Sequence, residues 1–340
     1  MRDVVLAVDI GGTKTAASLA GRDDVLLCTM TAPTPALAGP AAVVGTVVAL
    51  ATALRSDASD VRLRGVGIGT AGVVDAAAGS IVSSTDTFFD WPGTPLATLV
   101  RAGLAAHLAP DAPVVVQNDV DAHANGEFRH GAAAGARSAL VVAVGTGVGS
   151  GLIVDGRAVR GAHHVAGEIA HLPTPGAEHL FCPCGRRGHL EAIGSGIGMH
   201  AHYLSLGGDP TRTDARAIAA AAGAGDETAQ RALRESAEAV GRALAGAATL
   251  IDPERIVITG GVPHIGTAWW QPMEQAFRAE VIDVLQGIPL LSGTLGNDAP
   301  LRGASASAWA ALDACADART NDTDTPDASE TRVTARKATA

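Results

Sequence analysis

Two glycine-rich segments of the sequence combine residue types that bind phosphate. The first is Asp9–Lys14 (DIGGTK) and the second is Gly145–Gly149 (GTGVG). Glycines in a tight turn expose backbone N–H groups that cradle phosphate oxygens, and Thr13 and Lys14 add donors. A carboxylate such as Asp9 holds a magnesium ion directly or through water. A plain hairpin turn explains either segment alone, whereas the two together favour hairpins that face one nucleotide.

A carboxylate at the end of a predicted strand is the candidate base. Asp119 follows the apolar run Val114–Val116 and opens a predicted helix. From such a position the side chains of an open α/β sheet point into its cleft. Asp119 is placed to accept a proton from a substrate hydroxyl, and Asn118 to hydrogen-bond a neighbouring hydroxyl. A helix N-cap is the alternative interpretation of Asp119.

A third glycine-containing turn follows the apolar strand Ile256–Thr259. Gly260 and Gly261 there would let a nucleotide base or ribose lie against the backbone. A strand-to-helix turn explains the same pair without any ligand.

Four side chains in one glycine-rich segment form a complete set of zinc ligands. They are His171, Cys182, Cys184 and His189. Two thiolates and two imidazoles give tetrahedral coordination and leave no position for water, which predicts a structural ion. His163, His164 and His179 are nearby and compete as ligands. A loop with unliganded thiols is the alternative.

The hydrophobic pattern predicts alternating strands and helices that position these groups. We expect strands over 3–9, 15–20, 25–30, 61–69, 114–116, 139–144, 150–154 and 255–259, and helices over 41–55, 95–109, 191–206, 214–223, 226–251, 273–285 and 300–314. Both halves open with an apolar strand, a Gly/Thr turn and a second strand, which indicates a duplicated α/β domain around a cleft. Residues 155–190 show no hydrophobic periodicity, and a connection of this length without secondary structure is typical of a functional loop.

The composition excludes several classes of protein. The 340 residues are 47% hydrophobic and carry a net charge of −10, with lysine only at positions 14 and 337. An acidic chain argues against nucleic acid as a partner, and no apolar run reaches the length of a membrane span. The start of the chain lacks the pattern of a signal peptide, so we expect a cytoplasmic protein.

Seven segments in order resemble the ROK family of sugar kinases and sugar-responsive repressors, within the actin-like ATPase superfamily. They are DIGGTKTA at 9–16, GIGTAGVVD at 67–75, QNDVDAHANGE at 117–127, VGTGVGSGLIVDG at 144–156, GAHHVAGEIAH at 161–171, CPCGRRGHLEAIGSG at 182–196 and ITGGV at 258–262. The segments lie in the order of the family, and the resemblance extends over residues 3 to about 312.

The resemblance implies an α/β fold of two domains, the actin-like ATPase (ribonuclease H-like) fold, with duplicated α/β domains around a cleft. It implies a small N-terminal domain over 1–117 plus about 300–314 and a large domain with the zinc-binding loop over 118–299. From 315 to 340 the chain is polar and Thr-rich, and we expect a disordered tail.

The resemblance also implies ATP-dependent phosphorylation of a hexose, usually at the 6-hydroxyl, with Mg²⁺ on the phosphates and Asp119 as the general base. The residues implied to bind ATP are Asp9, Gly11, Gly12, Thr13, Lys14, Gly145, Thr146, Gly147, Gly260 and Gly261. The residues implied to bind the sugar are Gly69, Asn118, Glu168, His171 and Glu191. His171 is expected to bind zinc through one ring nitrogen and a sugar hydroxyl through the other.

Two departures from the family pattern concern the zinc and sugar sites. His189 stands where the family usually has a third Cys, and Ala71 stands where it usually has Pro. An Asn that commonly follows is not evident near Ser84–Asp86. Imidazole is also a good zinc ligand, so we expect the zinc site to survive with a changed charge. Ala71 and the missing Asn lie where the far side of the sugar would be held, and they put the identity of the substrate in doubt rather than the reaction.

Several alternatives stay open at the level of sequence. Glucose is the favoured substrate, followed by N-acetylmannosamine or N-acetylglucosamine. A kinase for a specialised polyol or cyclitol and a non-catalytic sugar-sensing protein are the rivals. The Asp9 motif begins nine residues into the chain, so we expect no DNA-binding domain before it. ATP is the expected donor with polyphosphate as the alternative, and by analogy we expect a homodimer or homotetramer.

Overall fold

Two five-stranded sheets with the same strand order form the framework of the protein. The computed structural model describes residues 1–58 and 60–323. The first sheet has the order β3 (Leu26–Pro33), β2 (Lys14–Ala20), β1 (Arg2–Ile10), β4 (Val61–Thr70) and β7 (Val114–Asn118). Strands β1, β2 and β3 are antiparallel neighbours, whereas β4 and β7 run parallel to β1. The middle strands β1 and β4 are buried apolar runs because helices cover both faces.

The second sheet repeats this arrangement. Its order is β10 (Arg157–Ala158), β9 (Val148–Val154), β8 (Ala139–Val144), β11 (Arg255–Thr259) and β12 (Leu290–Ser292). Strand β8 pairs antiparallel with β9 and parallel with β11, as β1 does with β2 and β4. The expected duplication of an α/β unit is therefore confirmed. A separate two-stranded ribbon, β5 (Val73–Asp75) with β6 (Ser80–Ser83), was not predicted.

Nine helices in the described residues cover the two sheets. They are α1 (Pro40–Asp57), α2 (Leu96–Gly103), α3 (Asp119–His130), α4 (Glu191–Gly194), α5 (Gly196–Ser205), α6 (Ala215–Gly223), α7 (Glu227–Ile251), α8 (Thr267–Glu280) and α9 (Ala299–Thr323). The first sheet lies between α1 and α2 on one face and α9 on the other. The second sheet packs against α3 on one face and against buried side chains of α5, α7 and α8 on the other.

Helices α3 and α9 cross between the two sheets at very short distance. A Cβ atom on Gly126 would overlap the carbonyl oxygen of Ala299, and one on Gly303 would overlap that of Ala122. Glycine at both positions lets the two backbones touch. Because α9 also packs on β1 and β4, the C-terminal end of the chain belongs with the first sheet. This packing supports the proposed division into two domains, whose boundaries stay a prediction.

Several helix boundaries differ from prediction: α2 ends at Gly103 rather than at 109, and α8 ends at Glu280 rather than at 285. Helix α9 continues to Thr323, past the predicted helix end at 314, and the disordered tail expected from 315 stays a prediction. The remaining part of the predicted tail, 324–340, lies outside the described residues. Helix α8 begins six residues before the predicted 273, because buried Trp269 anchors its first turn ahead of Pro272. Ser195 divides the predicted helix over 191–206 by capping α5.

None of the helices over residues 1–58 and 60–323 is both long and apolar enough to cross a lipid bilayer.

Candidate active site

Asp119 lies where β7 ends and α3 begins, at the edge of the cleft between the sheets. The side-chain oxygen of Asn118 accepts the N–H of Val120 at 2.8 Å and so caps α3. The Asn118 amide donates to the carbonyl of Gly72 at 2.9 Å. Asn118 is therefore the N-cap, which the sequence had offered as the alternative for Asp119. One amide hydrogen of Asn118 stays available to a ligand.

The first glycine segment forms hairpin 1, the turn between β1 and β2. The Gly11 N–H donates to the carbonyl of Lys14 at 3.0 Å and closes the turn. Asp9, Lys14 and Asp119 line one cavity of about 410 Å³ together with the start of α9. The structure thus brings the predicted phosphate hairpin and the predicted base, 110 positions apart in sequence, to the same space.

The other predicted residues of hairpin 1 and its neighbour β4 lie around this cavity rather than in it. Gly12 and Thr13 line an open depression with Thr34 and Thr87. Gly69 on β4 pairs with Asp9 on β1, and a Cβ added to Gly69 would lie 3.0 Å from the Cβ of Ala122 on α3. Gly69 therefore lets α3 approach β4, and its predicted contact with the sugar stays a prediction.

The second glycine segment forms hairpin 2, the turn between β8 and β9. The Gly145 N–H donates to the carbonyl of Gly147 at 2.9 Å. The carboxylate of Glu191 accepts the Val148 N–H at 3.3 Å, and a Cβ on Gly147 would lie 2.5 Å from the Glu191 Oε1 atom. Glu191 is thus seated directly against hairpin 2.

Hairpin 2 borders a second cavity, of about 420 Å³, which the third glycine-containing turn also lines. Gly145, Thr146 and Gly261 all face this cavity. Gly260 turns the chain after β11 with a φ of 95° and backs onto the main chain of Val144. The structure places the predicted residues Gly145, Thr146 and Gly261 together, while Gly260 shapes the turn without lining the cavity.

Four carboxylates, Asp9, Asp119, Asp121 and Glu168, form what we call the carboxylate cluster. Burial, and next the charge of Asp119, raise the pKa of Asp9 to about 7 against the opposing charge of Lys14. Burial raises the pKa of Glu168 to about 7, and its acidic neighbours add to the effect. Carboxylates withheld from water beside one another favour a proton or a cation between them.

The two cluster carboxylates at the start of α3 differ in their surroundings. Burial raises the pKa of Asp119, while the Val120 N–H and the Asn118 side chain hold it down. Burial raises the pKa of Asp121 to about 6 against the opposing charge of Arg160, and Asp119 adds to the rise. Burial outweighs these donors, so the pKa of Asp119 lies above its ordinary value, which suits a group that takes up a proton from a hydroxyl.

A buried polar network beneath Asp119 was not predicted from the sequence. The side-chain oxygen of Gln117 accepts hydrogen bonds from Ser307 at 3.1 Å, from Asn125 at 3.3 Å and from Arg160 at 3.4 Å. Arg160 also lies 3.8 Å from the carboxylate of Asp121. The network joins β7, α3, α9 and the loop after β10, so it holds the start of α3 in place from both sheets.

The four predicted zinc ligands converge in the loop before α4. Their ligand atoms all lie within 4.8 Å of one another. Nδ1 of His171 is 3.6 Å from Sγ of Cys182, and Nδ1 of His189 is 3.3 Å from Sγ of Cys184. Tetrahedral zinc separates its ligand atoms by roughly 3.3–3.8 Å, given bonds of about 2.0–2.3 Å. The four residues therefore fit a zinc ion.

The zinc-ligand loop contacts the candidate sugar residues through Glu191. Sγ of Cys182 lies 3.6 Å from Oε2 of Glu191. Burial raises the pKa of the Cys182 thiol to about 12, and a metal ion bound here would oppose that rise because it stabilises the thiolate. His171 turns Nδ1 toward the thiols and leaves Nε2 for another partner.

Sequence reasoning missed several side chains that line the two cavities. His123 lies one turn after Asp119 on α3 and lines the first cavity, and its Nε2 is buried without a partner among the described residues. His200, Thr213 and Arg216 line the second cavity. The spacing of four between Asp119 and His123 could have revealed the first, because such residues share one face of a helix. No local signal pointed to the others.

Comparison with known proteins covers nearly the whole chain. The sequence model of the ROK family matches residues 5–311. A glucokinase from Streptomyces coelicolor is 30% identical over 319 residues, which is 89% of this chain and 96% of that protein. An N-acetylmannosamine kinase from Citrobacter koseri is 34% identical over 260 residues, which is 76% of this chain and 83% of that protein.

A solved structure shows the same architecture. The crystal structure of a ROK family glucokinase from Streptomyces griseus in complex with glucose and AMPPNP is 30% identical, with a TM-score of 0.73. The match covers 89% of this chain and 98% of that one. The expected two-domain actin-like ATPase fold is confirmed by this likeness and by the repeated sheets. The chain belongs to the ROK family.

Proposed function

We propose that the protein is an ATP-dependent sugar kinase that phosphorylates a hexose hydroxyl, with the 6-hydroxyl of glucose as the favoured acceptor. The observation that carries the proposal is the shared cavity of Asp9, Lys14 and Asp119, which joins a phosphate hairpin to a base. Relatives named glucokinase and N-acetylmannosamine kinase support the same reaction. The sensor alternative is not favoured, because Asp119 and both hairpins are present.

Asp119 acts as the general base in this proposal. Its carboxylate accepts the proton of the sugar hydroxyl while the hydroxyl oxygen bonds to the γ-phosphorus of ATP and the bond to the β-phosphate oxygen breaks. Phosphoryl transfer needs mainly positioning and charge stabilisation, so the base needs no strongly raised pKa. Lys14 and the N–H groups of the hairpins hold the phosphates. Asp9 would hold Mg²⁺, which would supply positive charge against the phosphates and the carboxylate cluster.

The sugar is proposed to lie between Asp119 and the zinc-ligand loop. Glu168, Glu191 and the Nε2 atom of His171 would accept or donate hydrogen bonds to its hydroxyls, with Asn118 contributing its remaining amide hydrogen. An unpaired sugar hydroxyl in such a closed site costs roughly 1–3 kcal/mol, which is the basis of discrimination. The Streptomyces griseus enzyme was solved with glucose and AMPPNP, which supports glucose as the first substrate to test.

We further propose that His171, Cys182, Cys184 and His189 hold a structural Zn²⁺. The support is their convergence within 4.8 Å and the chemistry of two thiols with two imidazoles. Zinc at this position would fix the ring of His171 and, through Cys182, the place of Glu191. We also propose a homodimer or homotetramer, which light scattering tests. The cytoplasmic location stays a prediction.

The test is release of ADP by the purified protein with Mg²⁺-ATP over glucose, mannose, fructose, both N-acetylhexosamines and a cyclitol. We expect one hexose to turn over, and an Asp119→Asn variant to lose at least about 100-fold in kcat. Asp283→Asn, an exposed carboxylate far from the cavity, is the matched control. Turnover by Asp119→Asn at the wild-type rate contradicts the assigned base. Turnover of the cyclitol alone replaces the hexose proposal with the polyol alternative.

A further inference from the structure

The first cavity, which Asp9, Lys14 and Asp119 line, also contains a histidine that the proposed mechanism does not use. His123 lies four residues after Asp119, so the two side chains share one face of α3, with Cβ atoms about 5–6 Å apart. Side chains on a helix lean toward its N-terminus. The ring of His123 therefore leans toward the start of α3, where Asp119 lies.

The ring of His123 has no hydrogen-bond partner in the part of the chain that the structure describes. Nε2 is buried, whereas Nδ1 is not among the buried atoms without a partner, so Nδ1 is the nitrogen open to the cavity. Burial lowers the pKa of His123 against the charge of Glu127, so the ring is neutral near pH 7. Proteins bury an N–H without an acceptor more rarely than a lone pair without a donor, so we assign the proton to Nδ1. His123 thus presents an uncommitted N–H donor to the cavity.

The charges that line the cavity give this donor a use. The carboxylates of Asp9, Asp119 and Asp298 face Lys14, which is the one charged cation among the lining residues. A phosphoryl group in transfer must lie close to Asp119, because the hydroxyl oxygen bound to the base attacks phosphorus from about 3–3.5 Å. The negative oxygens of that group then meet the carboxylates. Lys14 offsets part of the repulsion, and an N–H donor on His123 offsets more of it.

We propose that His123 is a further catalytic residue, whose Nδ1–H donates a hydrogen bond to an oxygen of the phosphoryl group during its transfer. The inference rests on the proposed kinase function and adds a residue to that reaction. The bond from phosphorus to the β-phosphate oxygen breaks as the bond to the sugar oxygen forms, and the hydroxyl proton goes to Asp119. His123 keeps its own proton and stabilises charge on the oxygens that are not exchanged. Because phosphorus moves toward Asp119 during transfer, the contact strengthens in the transition state and raises kcat rather than the affinity for ATP.

The split between kcat and KM tests this role. With the accepted sugar, His123→Ala should lower kcat about 10- to 100-fold, the factor for one hydrogen bond to a charged group, and change the KM for ATP less than about threefold. His123→Leu keeps the bulk of the ring and should lose the same factor, so a packing defect in the alanine variant does not decide the test. His123→Asn puts an amide N–H near the position of Nδ1 and should restore most of kcat. His107→Ala, a half-buried histidine that lines neither cavity, should behave as wild type does.

Binding gives a second readout that needs no turnover. ADP with aluminium fluoride and glucose mimics the phosphoryl group in transfer, whereas ADP alone lacks that group. Calorimetry should show that His123→Ala binds ADP alone as wild type does and binds the aluminium fluoride complex about 10- to 100-fold more weakly. His123→Asn should recover most of this loss.

Three results overturn the inference. One is a wild-type kcat in His123→Leu, and another is a His123→Asn variant no more active than His123→Ala. The third is an equal loss of affinity for ADP alone and for the aluminium fluoride complex, which indicates a structural role. If no sugar is phosphorylated but His123→Ala still weakens the aluminium fluoride complex alone, the role of His123 stands and the kinase proposal fails. A wild-type protein that neither phosphorylates a sugar nor forms this complex overturns both.

Discussion

Replacing Asp9 by asparagine should stabilise the ligand-free protein while removing its response to Mg²⁺-ATP. Asp9 sits at the end of β1 beside Asp119, and burial raises its pKa to about 7 from 3.8. Between pH 3.8 and about pH 7, the folded chain holds the proton of Asp9 while the unfolded chain has lost it. The folded protein therefore loses stability as pH rises through this window, and asparagine, which carries no charge, removes that loss.

The magnitude follows from the same pKa. A carboxyl with a folded pKa of about 7 and an unfolded pKa of 3.8 costs the folded state about 4 kcal/mol at pH 8 and about 2 kcal/mol at pH 5. Partial exposure of Asp9 screens its charge, so we expect asparagine to recover about 3 kcal/mol at pH 8 and about 1 kcal/mol at pH 5.

Urea unfolding at pH 5 and pH 8, without Mg²⁺, measures the effect at constant m-value. Asp3→Asn is the matched control, because Asp3 lies on the same strand but is exposed and pairs with Arg64 at 2.7 Å. That change should lower stability by about 0–1 kcal/mol at either pH. Mg²⁺-ATP should then stabilise wild type and not Asp9→Asn. The reasoning is refuted if Asp9→Asn is less stable than wild type at pH 8, or if its effect is equal at the two pH values.

Three further changes test other parts of the site. Gly147→Ala puts a Cβ 2.5 Å from the Glu191 carboxylate and should lower kcat/KM for ATP about tenfold or more. Gly246→Ala is the control, because a Cβ there meets open space and should leave kcat/KM unchanged. Equal kcat/KM values for the two variants would contradict the contact between Gly147 and Glu191. Arg160→Met leaves buried Asp121 without its cation and should cost about 1–3 kcal/mol at pH 8 and less at pH 5, where that carboxyl, with a pKa of about 6, is protonated. The exposed Arg137→Met is its control, and a loss that grows toward pH 5 would count against the ion pair. Elemental analysis of the wild-type protein should find one zinc per chain. Cys182→Ser should abolish this zinc, and Cys28→Ser, which changes a cysteine outside the four ligands, should retain it. A wild-type protein free of zinc would contradict the proposed metal site.

Local spacing was sufficient to predict the parts of the site that depend on a few neighbouring residues. The hairpins at 9–14 and 145–149 follow from glycines placed between apolar strands, and both form the turns that were expected. Asp119 opens α3 because a polar pair follows a buried strand. The zinc ligands were recognised because four side chains with suitable donor atoms fall within nineteen positions of one another. The missed start of α8 shows the limit of local patterns. Pro272 indicated a helix that begins at 273, whereas in the structure the buried Trp269 lies inside a helix that begins at Thr267.

Tertiary structure alone decided which of these groups meet and what their surroundings do to them. Asp9 and Asp119 share a cavity because β1, β4 and β7 are parallel neighbours whose carboxyl ends lie side by side: Asp9 pairs with Gly69, and Gly69 pairs with Gln117. The raised pKa values of the carboxylate cluster arise from burial and mutual repulsion, which depend on distances that no local pattern encodes. Sequence by itself determined which chemical groups are available. The order of the strands in each sheet and the packing of the elements determined which of these groups meet.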